Sequence, residues 1–427
     1  MDTPQIHTPQ IHTPQIYTPQ IYTPQIHPYC TIVPPYLLMR LAQLDVPKFA
    51  RAAAAARDSL LRDSRIRQLR DGTHPRAHPS ARSLPTRTPG ESDRTISDAG
   101  GLERLPGRRV RTEGQPAGTD PAVTESYDSL GATQAMYWNQ FGRDSIDNGG
   151  MPMDATVHYG QKYDNAFWDG ERMVFGDGDG QVFNRFTISP SVIGHELTHG
   201  VTQFTANLEY EGQSGALNES ISDVFGALVE QNLRGQPTSA ASWLIGEGLF
   251  TEQVEGIALR SMKAPGTAYN DDVLGKDPQP DSMAGYIETD DDNGGVHLNS
   301  GIPNRAFYLV AEAIGGNAWE MPGRIWYDTL TGPMLRPQSD FAAFAAATAD
   351  TAAHLYGNGS TAHDAVLRAW ATVGVVAAVP SPLPNTTGTP SAPGISLPPA
   401  YSAPLVDPLA PMLPEPPRGP TAGQPSG

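Results

Sequence analysis

The amino-acid sequence predicts an α+β protein of two unlike lobes, a β-rich α+β lobe followed by a mostly α-helical one. Between about residues 94 and 190, short β-prone runs separated by turn residues surround one amphipathic helix. After Gly200 the apolar spacing becomes helical, in runs joined by long loops. The two halves meet at "SVIGHELTHGVTQ" (Ser191 to Gln203), where Val192, Ile193, Leu197 and Val201 recur at helical spacing and no proline interrupts.

Taken in order, residues 1–27 carry five copies of TPQI followed by His or Tyr. Proline at every fifth position forbids a regular helix, so an extended, disordered appendage is expected. Its His7, His12 and His27 could bind metal only weakly. Residues 28–92 read as a small structured leader and a linker. "CTIVPPYLLMRLAQL" precedes an alanine-rich run that predicts a helix over about Lys48 to Arg70, and 72–92, rich in Pro, Ser, Thr and Arg, is expected to be open to proteolysis. The first lobe spans 93–206, with strands expected in "RTISDAG", "ATVHYGQ", "ERMVFGDG" and "NRFTIS" and a helix over roughly Ala122 to Phe141. The second spans 207–378, with helices near 216–232, 301–314, 319–331, 339–356 and 361–373. Residues 379–427 form a Pro-rich run without periodicity, expected to be disordered.

At 427 residues the chain is long enough for a deep core and a cleft. The net charge is −17, but residues 1–112 hold 16 Lys+Arg against 9 Asp+Glu, so a basic leader precedes an acidic body. Such a leader either docks on the body by long-range attraction or is merely solvated. An acidic body without a strong basic patch argues against a nucleic-acid partner. The single cysteine, Cys30, excludes an intrachain disulfide. No run approaches the eighteen apolar residues needed to span a bilayer, and a charged n-region followed by an apolar h-region is lacking, so a soluble chain without a recognisable signal peptide is expected.

On a helix, His195 and His199 stand one turn apart on one face, where two imidazoles can take adjacent corners of a tetrahedral zinc ion at ~2.0 Å. Glu196 projects beside the metal and can take a proton from water. A third histidine six residues beyond His199 is excluded, because that position is Thr205. A second candidate helix, "SGALNESISDVFGALVE", buries Leu217, Ile221, Phe225 and Leu228 on one stripe and puts Glu219 and Asp223 together. Glu219 supplies the missing ligand. Asp223 suits the outer position, where a carboxylate accepts the other N–H of a ligating histidine.

Through HELTH (195–199), "NESISD" (218–223) and "DNGGVHLNSG" (292–301), the chain resembles the thermolysin-like family of zinc metallopeptidases over roughly Arg94 to Val376. "TIVPPYLL" (31–38) and "GKDPQP" (275–280) look most like its protealysin branch. The resemblance implies a two-lobed fold with one zinc ion in the cleft, held by His195, His199 and Glu219, with Glu196 as general base and Asn218 and Asp223 supporting the ligands. It implies Tyr210 and His297 as oxyanion donors, with Asp292 orienting that histidine. It further implies Asn165 and the Ala166 backbone on a peptide-binding edge strand, Arg260 on a substrate carbonyl, and Phe183, Phe186, Val192 and Leu259 around the side chain after the scissile bond. Preference for a bulky apolar residue follows.

The calcium double site of the family is expected to be lost, because Ser191, Ser242 and Leu244 stand where carboxylates belong and only Glu230 and Glu247 remain. "GDGDG" and "TDDDNGG" read as turns. The resemblance implies a secreted, monomeric endopeptidase acting on peptides and proteins, without membrane or nucleic-acid partners and with its own leader as an inhibitory pro-segment. The missing signal peptide keeps a cytoplasmic address open. Cys30, as a thiolate, could fill the zinc ion's open corner in the precursor. The alternative function is a latent or non-proteolytic zinc-binding interaction protein.

Overall fold

The computed structural model describes residues 31–71 and 88–377; the TPQI repeat, Cys30, most of the linker and the C-terminal run lie outside the described residues. The leader starts as the extended segment Thr31–Val33. Pro34 and Pro35 then open helix α1 (Pro35–Ala42), where a missing N–H costs nothing in the first turn. A 3₁₀ turn (Pro47–Phe49) leads into α2 (Ala50–Asp71), the helix expected from the alanine run.

The first lobe contains β1 (Arg94–Asp98), β2 (Arg108–Thr112), α3 (Pro121–Phe141), β3 (Met153–Val157), β4 (Ala166–Trp168) and β5 (Arg172–Phe175). Its sheet runs in the order β2-β1-β3-β5-β4, with β1, β3 and β5 parallel and the two edge strands antiparallel to their neighbours. Strand β4 is therefore an edge strand of this sheet, with one side turned away from β5. Two expected strands are corrected. "ATVHYGQ" stops at Val157, because His158 takes a left-handed φ of 55°. "NRFTIS" is no strand but a 3₁₀ turn (Phe186–Ile188) that buries Phe183 and Phe186, three residues apart, together.

The second half begins with α4 (Pro190–Gln203) and α5 (Gly212–Arg234). Two small ribbons follow, β6 (Leu244–Ile245) with β7 (Arg260–Ser261) and β8 (Asn270–Asp271) with β9 (Gly275–Lys276). Then come α6 (Asp292–Asn299), α7 (Gly301–Ile314), α8 (Met321–Thr331), α9 (Phe341–Tyr356) and α10 (Thr361–Thr372). In α6, Asp292 to Gly295 all have positive φ, so the expected turn is present and His297 rides on the short helical turn after it.

Helices α4 and α5 are buried all round, from Ser191 to Thr202 and from Ser214 to Gln231. Glycines set their separation. A Cβ on Gly226 would lie 2.4 Å from the Ser191 carbonyl oxygen and 3.0 Å from the His195 nitrogen, and one on Gly194 would lie 3.0 Å from Gly226 Cα. Gly226→Ala is expected to lower the stability of the metal-free chain by about 1–3 kcal/mol through overpacking and to weaken zinc binding; a denaturant titration with unchanged midpoint and unchanged zinc affinity contradicts this.

His158 ties the start of α3 to the first lobe. Its Nδ1 lies 2.8 Å from Asp177 Oδ1 and its Nε2 2.9 Å from Asp120 Oδ2, while Asp120 Oδ1 caps α3 by accepting from the Ala122 N–H. The Asp177 hydrogen bond, against the opposing effect of burial and with help from Asp120, raises the imidazole from 6.5 to about 9. Because the folded value exceeds the unfolded one, the stabilisation is complete below about 6.5 and is lost as pH rises through about 9. The stability difference between wild type and His158→Gln should therefore shrink between pH 7 and pH 10 in thermal melts; a difference that stays constant or grows over that range rules the linkage out.

Candidate metal centre and active site

Helix α4 presents His195 and His199 on the face that α5 approaches, and α5 presents Glu219. The two Nε2 atoms lie 2.9 Å apart, and Glu219 oxygens lie 3.6 Å from each. All three residues are buried, with one ligand atom of each within 4.8 Å of the others. The outer ring nitrogens are already engaged. His195 Nδ1 lies 2.8 Å from Asp223 Oδ1, and His199 Nδ1 lies 2.8 Å from Asn218 Oδ1 and 3.1 Å from Ser222 Oγ. Carboxylate and amide oxygens accept only, so each Nδ1 carries its proton and each Nε2 turns a lone pair inward. Two lone pairs at 2.9 Å beside a carboxylate suit a shared cation, and three protein donors of this N₂O kind suit catalytic zinc.

Charge follows the same plan. Burial, then the neighbouring His195 ring, lowers His199 to about 3, keeping a neutral imidazole. Burial works to raise the Glu219 carboxyl, but the rings of His297, His199 and His195 outweigh it and hold it at about 2. Asp223 is likewise lowered against its burial, chiefly by Arg260 and then His195. Arg260 reaches it with Nε at 2.8 Å and Nη2 at 2.9 Å, and Asn304 Nδ2 donates to the same carboxylate at 2.8 Å.

Glu196 points to the first lobe: its Oε2 accepts from the Trp168 N–H of β4 at 3.1 Å, and its buried Oε1 has no hydrogen-bond partner among the described residues. Burial first, and the Glu219 carboxylate second, push its carboxyl well above the ordinary value. On the other side, the Tyr210 hydroxyl donates to Glu219 Oε1 and lies 3.4 Å from His297 Nε2. Asp292 grips His297 twice, accepting from its backbone N–H at 2.9 Å and meeting its Nδ1 at 2.7 Å. Burial opposes a charge on that ring, yet Asp292 and Glu219 raise it to about 9.

The leader lies in this cleft. Thr31 pairs antiparallel with Phe167 on the outer edge of β4, and the Ile32 N–H donates to the Ala166 carbonyl at 3.2 Å. Asn165 Oδ1 accepts from the Val33 N–H at 2.9 Å, and Arg260 Nη1 donates to the Ile32 carbonyl at 3.0 Å. The Thr31 carbonyl lies 3.1 Å from His297 Nε2. Phe183, Phe186, Val192 and Leu259 are fully buried in the same apolar cluster as Ile32 and Val33. The sequence reading missed the pairing of Thr31 with β4, although two β-branched apolar residues after a threonine and before two prolines favour extended chain. It also missed Asp63 on α2, which accepts from Asn165 Nδ2 at 3.0 Å and from the Tyr163 hydroxyl at 2.6 Å. No periodicity marks such a contact. Cys30 lies outside the described residues.

Around the two remaining acids of the expected calcium double site, Arg234 reaches Glu230 at 2.8 Å and Glu247 at 3.6 Å, and Ser242 Oγ lies 3.3 Å from Glu247. Ser191 Oγ instead accepts from the Gly246 N–H at 3.2 Å. For the histidine–glutamate centre, Asp223→Asn should weaken zinc about 10–100-fold in competition with a chromophoric chelator, and unchanged affinity would show that the Asp223 contact does not tune the ligand.

Residues 104–203 match the family described as Thermolysin metallopeptidase, catalytic domain, and residues 206–375 match Thermolysin metallopeptidase, alpha-helical domain. An "Extracellular metalloprotease" of Pectobacterium carotovorum subsp. carotovorum is 50% identical over 348 residues, covering 82% of this chain and 97% of that protein. An "Extracellular minor metalloprotease" of Serratia marcescens is 41% identical over 299 residues, 68% of this chain and 80% of the other. Among solved structures, the precursor of protealysin, a metalloproteinase from Serratia proteamaculans, superposes with a TM-score of 0.73 at 49% identity, covering 81% of this chain and all of that one. Two lobes meeting at a buried histidine–glutamate centre, and a sequence alike across both, lead to one assignment: the chain belongs to the thermolysin family of zinc metallopeptidases and is a peptide hydrolase.

Proposed function

We propose that this chain is a secreted, monomeric zinc endopeptidase held latent by its own leader, and that it cleaves before bulky apolar residues. The observation that carries the reading is the placement of Thr31–Val33 on β4, where the backbone of an extended substrate would add as another strand. Latency follows from occupancy of the cleft. Ile32, fully buried at the residue held by Ala166 and Arg260, argues for apolar preference at the position after the scissile bond. The extracellular relatives support export, and no helix among the described residues is long and apolar enough to cross a membrane. The Arg234 guanidinium between Glu230 and Glu247 supports loss of the calcium double site.

In the proposed mechanism His195, His199 and Glu219 would hold zinc, which would act there as a Lewis acid, acidifying water and polarising a carbonyl. Glu196 takes a proton from the attacking water and passes it to the departing nitrogen. Cationic His297, with Asp292 on its Nδ1, donates from Nε2 to the oxygen where negative charge develops, and Tyr210 donates beside it. Asp223 acts twice, orienting His195 and fixing Arg260, whose remaining nitrogen holds the carbonyl of the residue after the cut. Asn165 and Ala166 hold the substrate backbone in register.

Glu196→Gln is expected to bind one zinc ion per chain yet to lose about 100-fold or more in turnover of casein after leader removal. Metal analysis with a casein digest checks both halves, and substantial residual hydrolysis would refute the role of Glu196. With model peptides, kcat/KM should fall at least about tenfold when the residue after the scissile bond changes from Leu or Ile to Asp; equal rates would remove the assigned pocket.

A further inference from the structure

The leader is placed with the polarity of a substrate. Ile32 is anchored at both backbone groups, its N–H on Ala166 and its carbonyl on Arg260, and the next amide is held by Asn165. One residue upstream, the Thr31 carbonyl lies 3.1 Å from His297 Nε2. Within the described leader, Thr31–Ile32 is the bond whose oxygen meets the proposed oxyanion donor and whose nitrogen belongs to the buried apolar side chain. Glu196 stands on the same edge, bound to the Trp168 N–H next to Phe167, the residue opposite Thr31, and keeps one buried oxygen without a partner among the described residues.

From this juxtaposition we infer that the chain cuts itself between Thr31 and Ile32, releasing everything N-terminal of Ile32 while the rest of the leader stays docked and inhibitory. This rests on the peptidase mechanism proposed above. The Thr31 carbon–Ile32 nitrogen bond breaks, the water oxygen joins the Thr31 carbon to give a carboxylate, and both water hydrogens end on the Ile32 nitrogen, by way of Glu196, to give an ammonium. No redox partner is needed.

The released piece loses its covalent tie and diffuses away, which makes the cut irreversible in practice. The trimmed leader does not follow. Ile32, Val33, Leu37, Leu38 and Leu41 are at most 1% exposed, and Asp63 of α2 holds Asn165 from behind. It also remains tethered through the linker, so its effective concentration at the cleft stays high. Maturation is thus a two-cut process, and the first cut alone does not unmask the enzyme.

The test is intact mass and N-terminal sequencing of the full chain, zinc-loaded, incubated alone. The wild type should come to begin Ile-Val-Pro-Pro, Glu196→Gln should be trimmed at least about 100-fold more slowly, and tenfold dilution should leave the half-time unchanged. Ile32→Leu should trim like the wild type and Ile32→Asp at least about tenfold more slowly. Casein hydrolysis should not rise in step with trimming. In the metal-free Glu196→Gln chain, the Ile32 and Val33 amides should exchange hydrogen more slowly than in an isolated peptide of residues 31–41.

An uncut Thr31–Ile32 bond in a preparation that digests casein once its linker is cleaved overturns the inference and leaves the peptidase reading intact. Equal trimming in Glu196→Gln, dilution-dependent trimming, activity that appears with the first cut, or unprotected amides would each overturn it as well. If casein is not digested even after linker cleavage, the peptidase reading falls first and this inference with it.

Discussion

Gly194 on α4 and Gly226 on α5 let two fully buried helices approach until backbone meets backbone, and the centre is built on that approach. With any Cβ at position 226, the Ser191 carbonyl would have to retreat by several tenths of an ångström or more, carrying His195 with it. On α5, Glu219, Asp223 and Gly226 share one face, so the spacing that permits the approach also delivers a carboxylate to the two imidazoles and another to the outer nitrogen of His195. Asp223 then becomes a hub for His195, Arg260 and Asn304. A buried carboxylate of this kind persists because His195, Arg260 and Asn304 all turn N–H groups toward it.

The second organising element is the outer edge of β4. An edge strand is a hazard in most proteins because it offers unpaired backbone groups to any extended chain. Here the same groups are covered by Thr31–Val33, and the residues that carry the contact are the ones proposed for substrate. Backbone pairing tolerates many sequences, and the apolar preference proposed for the site rests on the buried Ile32 side chain. Because Asn165 is held by Val33 on one side and by Asp63 of α2 on the other, strand and helix of the leader act on one residue.

Much of this was legible in the chain of letters. HELTH on a proline-free amphipathic run, with NESISD on the next, named His195, Glu196, His199, Glu219 and Asp223, because helical periodicity converts local spacing into facing side chains. Helix α3 and, apart from α6, the helices of the second half fell within a few residues of where spacing put them. The strands fared less well. "NRFTIS" has the composition of a strand but turns, because burying Phe183 and Phe186 together outweighs β propensity, and "ATVHYGQ" ends early where His158 adopts a left-handed backbone.

What the sequence determined by itself was the set of groups and their local spacing: two imidazoles, a base between them, two carboxylates a turn apart, and a leader cut off by prolines. What only the tertiary structure decided was which of these meet. His297 and Tyr210, 87 residues apart, converge on Glu219, and Thr31 reaches His297 across 266 positions. Such contacts leave no periodic trace, because they depend on how helices and sheet pack rather than on how neighbours are spaced.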